Sequence, residues 1–104
     1  MISKKVGSSI KYLFNIKDST GAKIDITDYT LNLKISQTSG GADIINRAVT
    51  SKTDDNLNFV VELTPADTTL MGSGSFIACN KIANAATDYA DEEEVLIKLS
   101  PSCF

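Results

Sequence analysis

Five carboxylates crowd one short segment of this chain: Asp88, Asp91, Glu92, Glu93 and Glu94. Clustered oxygens are what calcium favours, because a hard cation surrounds itself with carboxylate and carbonyl ligands. The spacing does not match an EF-hand loop, since no glycine sits at the bend. The plainer reading is a solvated acidic loop whose charge keeps the following edge strand from pairing with other chains. A carboxylate pair for glycosidase-type chemistry could also be drawn from Asp25, Asp28 and this segment. Acids in turns and at strand entries are normally caps or solvated groups, which is the role expected of Asp25 and Asp28.

Nucleophilic catalysis needs a base beside the nucleophile, and the chain has no histidine at all. That also removes the commonest metal ligand and the side chain best suited to proton transfer near neutral pH. Serines and threonines are plentiful, but spacing alone assigns no Ser–Lys arrangement. The two cysteines are Cys79, inside an expected strand, and Cys103, near the end. A disulfide between them would tie down the C-terminal tail, yet nothing else points to an oxidising compartment, so two unrelated thiols are expected. Gly40–Gly41 and Gly72–Ser73–Gly74 give backbone freedom at turns and lie in no strand–loop–helix context that cradles phosphate. No catalytic, cofactor-binding or metal-ligating residue is therefore assigned.

At 104 residues the chain is expected to form one domain spanning residues 1–104. A chain of that length buries roughly two-thirds of its unfolded surface, enough for one core without staples. A hydrophobic content of 42% and a charged content of 22% describe a globular protein. The net charge of −3 and scattered basic residues leave no footprint for a nucleic-acid backbone. MISKKVGSSIKYLF has lysines without the apolar stretch of a signal peptide, and no run approaches a membrane span.

The elements that must position these groups are strands. Ile10, Tyr12, Phe14 and Ile16 share one face of a strand over residues 9–17, before the turn signal Asp18-Ser19-Thr20-Gly21. Ile24 and Ile26 flank Asp25 in a short extended piece. Tyr29, Leu31, Leu33 and Ile35 then alternate with polar partners in a half-buried strand. QTSGG at 37–41 is a flexible connection, and 44–49 forms a strand that Asn46 and Arg47 interrupt. Residues 51–56 read as a hairpin loop.

In LNFVVELTPADTTLMGSGSF, residues 57–76, a strand burying Leu57, Phe59, Val61 and Leu63 leads into one helical turn. Thr64 is its expected cap, Pro65 its first residue, and Asp67 the acid of a capping box. Leu70 and Met71 should lay the turn on the core, and Gly72 and Gly74 end it before Phe76. A strand at 75–82 carries apolar residues on both faces, so its inward side stays open. Residues 83–89 read as a loop, and Val95, Ile97 and Leu99 as a last strand. Tyr89 and Phe104 are the aromatics expected at a contact, with packing the plainer role for each. Short strands at close spacing, without a segment long enough for a crossover helix, predict an all-β fold: an antiparallel sandwich of six or seven strands with one short helical turn.

Two segments resemble a pattern of tailed-bacteriophage structural proteins. Asp25-Ile26-Thr27-Asp28-Tyr29-Thr30-Leu31 stands where such domains show Asp-Leu-Thr-Gly-Tyr before an alternating strand. Leu63-Thr64-Pro65-Ala66-Asp67-Thr68, leading to Gly74 and Phe76, stands where they show Leu-Thr-x-x-Glu-Thr and then Gly-x-Tyr; FNIKDSTG at 14–21 matches their first strand and turn. The chain thus resembles the N-terminal immunoglobulin-like domain of phage baseplate upper proteins. Asp28 departs from the usual glycine, and Cys79–Asn80 from a frequent Asp. Residues 1–104 are expected to hold a single domain, without the fibre or receptor-binding extension that often follows in such modules. The resemblance implies an immunoglobulin-like β-sandwich without catalytic residues or cofactors, a phage or prophage virion part assembled in the bacterial host cytoplasm. Its expected partners are other virion proteins and further copies of itself, in tail, baseplate or fibre attachment, with no nucleic acid, membrane or small-molecule substrate. A capsid decoration protein is the rival within that class, and a carbohydrate-binding or adhesin module the rival outside it. The absence of tryptophan counts against the last.

Overall fold

A computed structural model describes residues 1–53, 57–84, 86 and 89–103, and for Tyr89 its backbone only. The described elements run β1 (Ile2–Lys5), β2 (Ile10–Phe14), β3 (Thr30–Ser36), β4 (Ile45–Val49), β5 (Lys52–Thr53), β6 (Asn58–Leu63), α1 (Pro65–Met71), β7 (Gly74–Asn84) and β8 (Tyr89–Ser100). They form a five-stranded sheet, β1-β8-β7-β3-β4, and a three-stranded sheet, β2-β6-β5. The period-two pattern of each strand decides which face goes inside. Leu31, Leu33 and Ile35 from β3, Phe76, Ala78 and Ile82 from β7, and Ile97 and Leu99 from β8 meet Ile10, Phe59, Val61 and Leu63 of the smaller sheet in one buried cluster.

The protein is an all-β sandwich. β2, β6 and β5 take the B, E and D places of an immunoglobulin-like fold, and β8, β7, β3 and β4 take G, F, C and C′. Every pairing among the described strands is antiparallel except one: Ile2–Lys5 runs parallel to Ile97–Ser100. That first strand and the two-residue β5 lie where no strand was expected. ISKK has no apolar alternation, and its pairing comes from the neighbouring chain rather than from its own residues. Expected boundaries shift elsewhere for the same reason. The strand drawn over 9–17 ends at Phe14, and β7 reaches Asn84 and β8 begins at Tyr89, because the two pair along their whole length.

Residues 15–29 carry the chain from the smaller sheet to the larger. Asp18 organises this crossing by accepting from the backbone N–H of Thr20 (2.9 Å) and Ala22 (3.1 Å). Ile26 then drops into the core, fully buried.

A second crossing from the smaller sheet to the larger, between β6 and β7, is the helical turn, built as its residues dictate. Thr64 Oγ1 accepts from Asp67 N at 3.2 Å, and the Asp67 carboxylate accepts from Thr64 N at 2.8 Å. Gly72, at φ +76°, closes the turn by donating to the Thr68 carbonyl. Met71 is buried as expected, but Leu70 is not: its side chain is 67% exposed. The buried partner of Met71 is Thr68, three residues back on the same helical face. Thr68 Oγ1 donates to the Ser8 carbonyl (2.9 Å) and accepts from Gly7 N (3.0 Å), fixing the β1–β2 connection to the helix.

Arg47 fastens the opposite edge. Its guanidinium grips both oxygens of Asp67 (3.2 and 2.8 Å) and donates to the Glu62 carbonyl at 2.8 Å. β4 of the larger sheet is thereby clamped to β6 and α1.

Two measurements check this corner. Met71→Ala should cost about 2 kcal/mol in urea unfolding, whereas Leu70→Ala should stay within about 0.5 kcal/mol. Asp67→Ala should lose about 1–2 kcal/mol, from the cap and the ion pair together. The Arg47 hydrogen bond, first among its causes, holds the Asp67 carboxyl below the usual carboxylate range. Its stabilisation is therefore present above the ordinary carboxylate value of about 4 and fades as pH falls through the folded value, because the unfolded chain then binds the extra proton. The stability gap between wild type and Asp67→Ala should shrink on acidification.

Candidate functional site

The strand pleat separates the acidic cluster that the sequence presents as one. β8 runs through it, so Glu92 and Glu94 stand opposite Lys81 and Cys79, while Asp91 and Glu93 stand opposite Ile82 and Asn80. The first pair lies on the outer face of the larger sheet and the second points between the sheets. Asp88 lies outside the described residues. Among the described residues no three of Cys, Asp and Glu gather as a metal site. The segment is a strand rather than the expected loop, yet its position fits the expected protective role. β1 pairs only with Ile97–Ser100, so the acidic half of β8 forms an open sheet edge that its charges guard.

A slot of about 170 Å³ opens between this edge and the end of β2, lined by Phe14, Asn15, Ile16, Lys17, Ile82, Asp91 and Glu93. The core wall behind it is polar and satisfied. Tyr12 donates to Asn80 Oδ1 at 3.0 Å, and Asn15 Nδ2 to Asn58 Oδ1 at 3.1 Å. Burial pushes the Tyr12 hydroxyl pKa up, only partly offset by Asn80. Among the described residues no buried side-chain nitrogen or oxygen lacks a hydrogen-bond partner.

Of the other turn acids, Asp28 is exposed, and Asp25 and Asp18 are engaged locally. Asp25 accepts from the Thr27 hydroxyl and from Thr27 N at 2.8 Å, and the hydroxyl contact leads the effects that hold its carboxyl low. Asp18 is held low chiefly by the Thr20 hydroxyl.

The outer face of the larger sheet carries the organised surface. Across β4, β3, β7 and β8 one row reads Asn46, Lys34, Cys79, Glu94, and the next reads Ala48, Asn32, Lys81, Glu92. Beyond the first row, Ser36, Ile77 and Leu96 stand side by side, with Leu96 53% exposed. A shallow cavity of about 370 Å³ spreads over Lys34, Ser36, Ser39, Gly40, Ile77, Cys79, Glu92 and Glu94. Its β3–β4 side is ordered by a polar chain in which Asn32 donates to Asn46, Asn46 to Asp43, and Lys34 pairs with Asp43 at 3.0 Å. The Asn46 contact first, and then Lys34, hold the Asp43 carboxyl low.

Cys79 lies in the middle of this face. Burial first, then Glu92 and Glu94, push its thiol pKa up against the opposing pull of Lys34 and Lys81. It stays protonated near neutral pH and is a poor nucleophile. Cys79 and Cys103 are both free thiols, the latter exposed.

Compared with known proteins, the chain matches no family model and no curated sequence. Among the described residues, no helix is long and apolar enough to cross a membrane.

Of the aromatics expected at a contact, Phe104 and the Tyr89 side chain lie outside the described residues. Arg47, which reads in sequence as a fault in a strand, proves to be the clamp between sheets. Its signal was available: a long cation at an inward position of a short strand must reach an acid or a carbonyl.

Thiol labelling tests the electrostatics of the face. At neutral pH Cys103 should react rapidly with an aromatic disulfide reagent and Cys79 much more slowly in the folded chain. Glu92→Gln with Glu94→Gln should speed Cys79 labelling, and an unchanged rate would contradict the assigned effect of those carboxylates.

Proposed function

We propose that this chain is a non-enzymatic structural protein of a tailed-phage or prophage virion, and that it acts by packing its surface against other subunits. The observation that carries the reading is the outer face of β7 and β8, where Ile77 and Leu96 adjoin as an apolar spot framed by Lys34, Glu94 and Lys98. Apolar side chains adjoining on an open sheet face, rimmed by charge, suit protein–protein contact.

The segments that carry the phage resemblance support this division of labour. Residues 25–31 and 63–76 lie at two of the passages between the sheets, those from β2 to β3 and from β6 to β7, and their polar groups are used in caps and turns. They set the frame, and the sheet face is left for assembly. In this reading the protein is a component of the tail, baseplate or fibre attachment, assembled in the bacterial host cytoplasm, and it needs no cofactor.

Particle analysis tests the role. Virions purified from an induced lysogen carrying this gene should contain the chain at constant stoichiometry, and the purified chain should co-sediment with particles made without it. Particles that never contain or bind the chain would sink the proposal.

A further inference from the structure

We infer that the outer face of the five-stranded sheet is a self-complementary surface that takes a second copy of this chain. The inference rests on the assembly reading above and names the partner.

The outward residues of β8 read Glu92, Glu94, Leu96, Lys98, Ser100. Glu94 and Lys98 flank Leu96 at equal distance, one acidic and one basic. A two-fold axis in the plane of contact, crossing the strands at Leu96, reverses strand direction in the second copy. Glu94 of each chain then faces Lys98 of the other, giving two ion pairs for one symmetry operation. Leu96 meets its own counterpart on the axis.

The apolar row along that axis is continuous. Ile77 is the direct neighbour of Leu96, and on its other side the register Ile2↔Ile97 places Met1 beside Leu96. Met1 is 83% exposed and Leu96 53% exposed, two of the four largest exposed apolar side chains among the described residues. Neither Glu94 nor Lys98 has an ion-pair partner among those residues, whereas Lys34 is already taken by Asp43. Glu94 and Lys98 are thus unspent charges that the symmetry brings together.

Size sets the strength. Four strands about 4.8 Å apart and some eight residues long at about 3.3 Å each give a face on the order of 500 Å² per copy. That falls below the roughly 800 Å² per partner of a standard interface, so a dissociation constant in the micromolar range or weaker is expected.

The test is sedimentation velocity of the full chain from roughly 5 to 500 µM, a range that brackets such a constant. The wild type should pass from monomer to dimer. Leu96→Asp should remain monomeric, and Glu94→Lys or Lys98→Glu alone should each weaken association by about ten-fold or more, because each puts two like-charge contacts in the dimer. Mixing those two single variants should restore dimers, since every contact between them is again opposite in sign. Circular dichroism and urea midpoints at the wild-type value establish that the variants fold. A wild type that stays monomeric throughout, a dimer indifferent to Leu96→Asp, or a mixture no better than its components would overturn the inference. A monomer that still co-sediments with virions removes the two-fold pairing and leaves the virion role standing. A dimer absent from virions does the reverse.

Discussion

The carboxylate of Asp67 is the point at which the two layers are tied. One oxygen caps the helical turn through Thr64 N, and both oxygens hold the Arg47 guanidinium, whose other contact is the Glu62 carbonyl. One side chain therefore joins the last residues of β6, the start of α1 and the edge of β4. At the next residue, Thr68 is fully buried and binds both Gly7 and Ser8. The connection from β1 to β2 thus enters the same corner. No single contact here is strong, since exposed ion pairs and caps are each worth about 1 kcal/mol. Their value lies in convergence, because each fixes the geometry in which the next can form.

With one end tied this way, the interior can tolerate a polar region at the other. Asn58 and Asn80 are completely buried, and Asn80 accepts from Tyr12 across the sheets. Each buried amide here has a partner, so burial does not leave an open cost. The core changes along its length from apolar near Phe76 and Leu63 to hydrogen-bonded near Asn80 and Asn58. The slot beneath Asp91 and Glu93 opens at the polar end of that gradient.

How much of this was legible in sequence depends on where each signal resides. The capping box, Pro65, the alternation of β3 and that of β6 from Phe59 onward are local, and each read correctly because a few consecutive residues carry the whole reason. Leu57, expected inside, lies half-buried in the turn before β6, and Asn58, expected on the polar face, is completely buried. Met71 inside was legible, but Leu70 outside was not, because hydropathy names both and only helix phase chooses between them. The inward side of β7 was open in sequence, as Phe76 and Ala78 compete with Ile77 and Cys79. The opposing sheet decided it by burying the even-numbered residues. β1 and the parallel pairing were invisible, since ISKK is a strand only because β8 supplies its hydrogen bonds. The acidic run misled in one respect. Read as a loop it looks like a cluster, and read as a strand it divides between two faces.

These pieces meet at the outer face. Burying even positions of β7 and odd positions of β8 leaves Ile77, Cys79, Glu94, Leu96 and Lys98 outside. The surface is thus a consequence of the core pattern, and its side chains are carried on paired strands, which limits the ordering cost of association. The central claim is that this preformed face is where the protein meets its partners. The most direct measurement is a dilution series of amide chemical shifts on the labelled chain. Concentration-dependent changes should gather on Ile77, Cys79 and the β8 stretch from Glu94 to Lys98. Changes centred instead on Leu13 and Val60 of the smaller sheet, or spectra that do not vary with concentration, would contradict it.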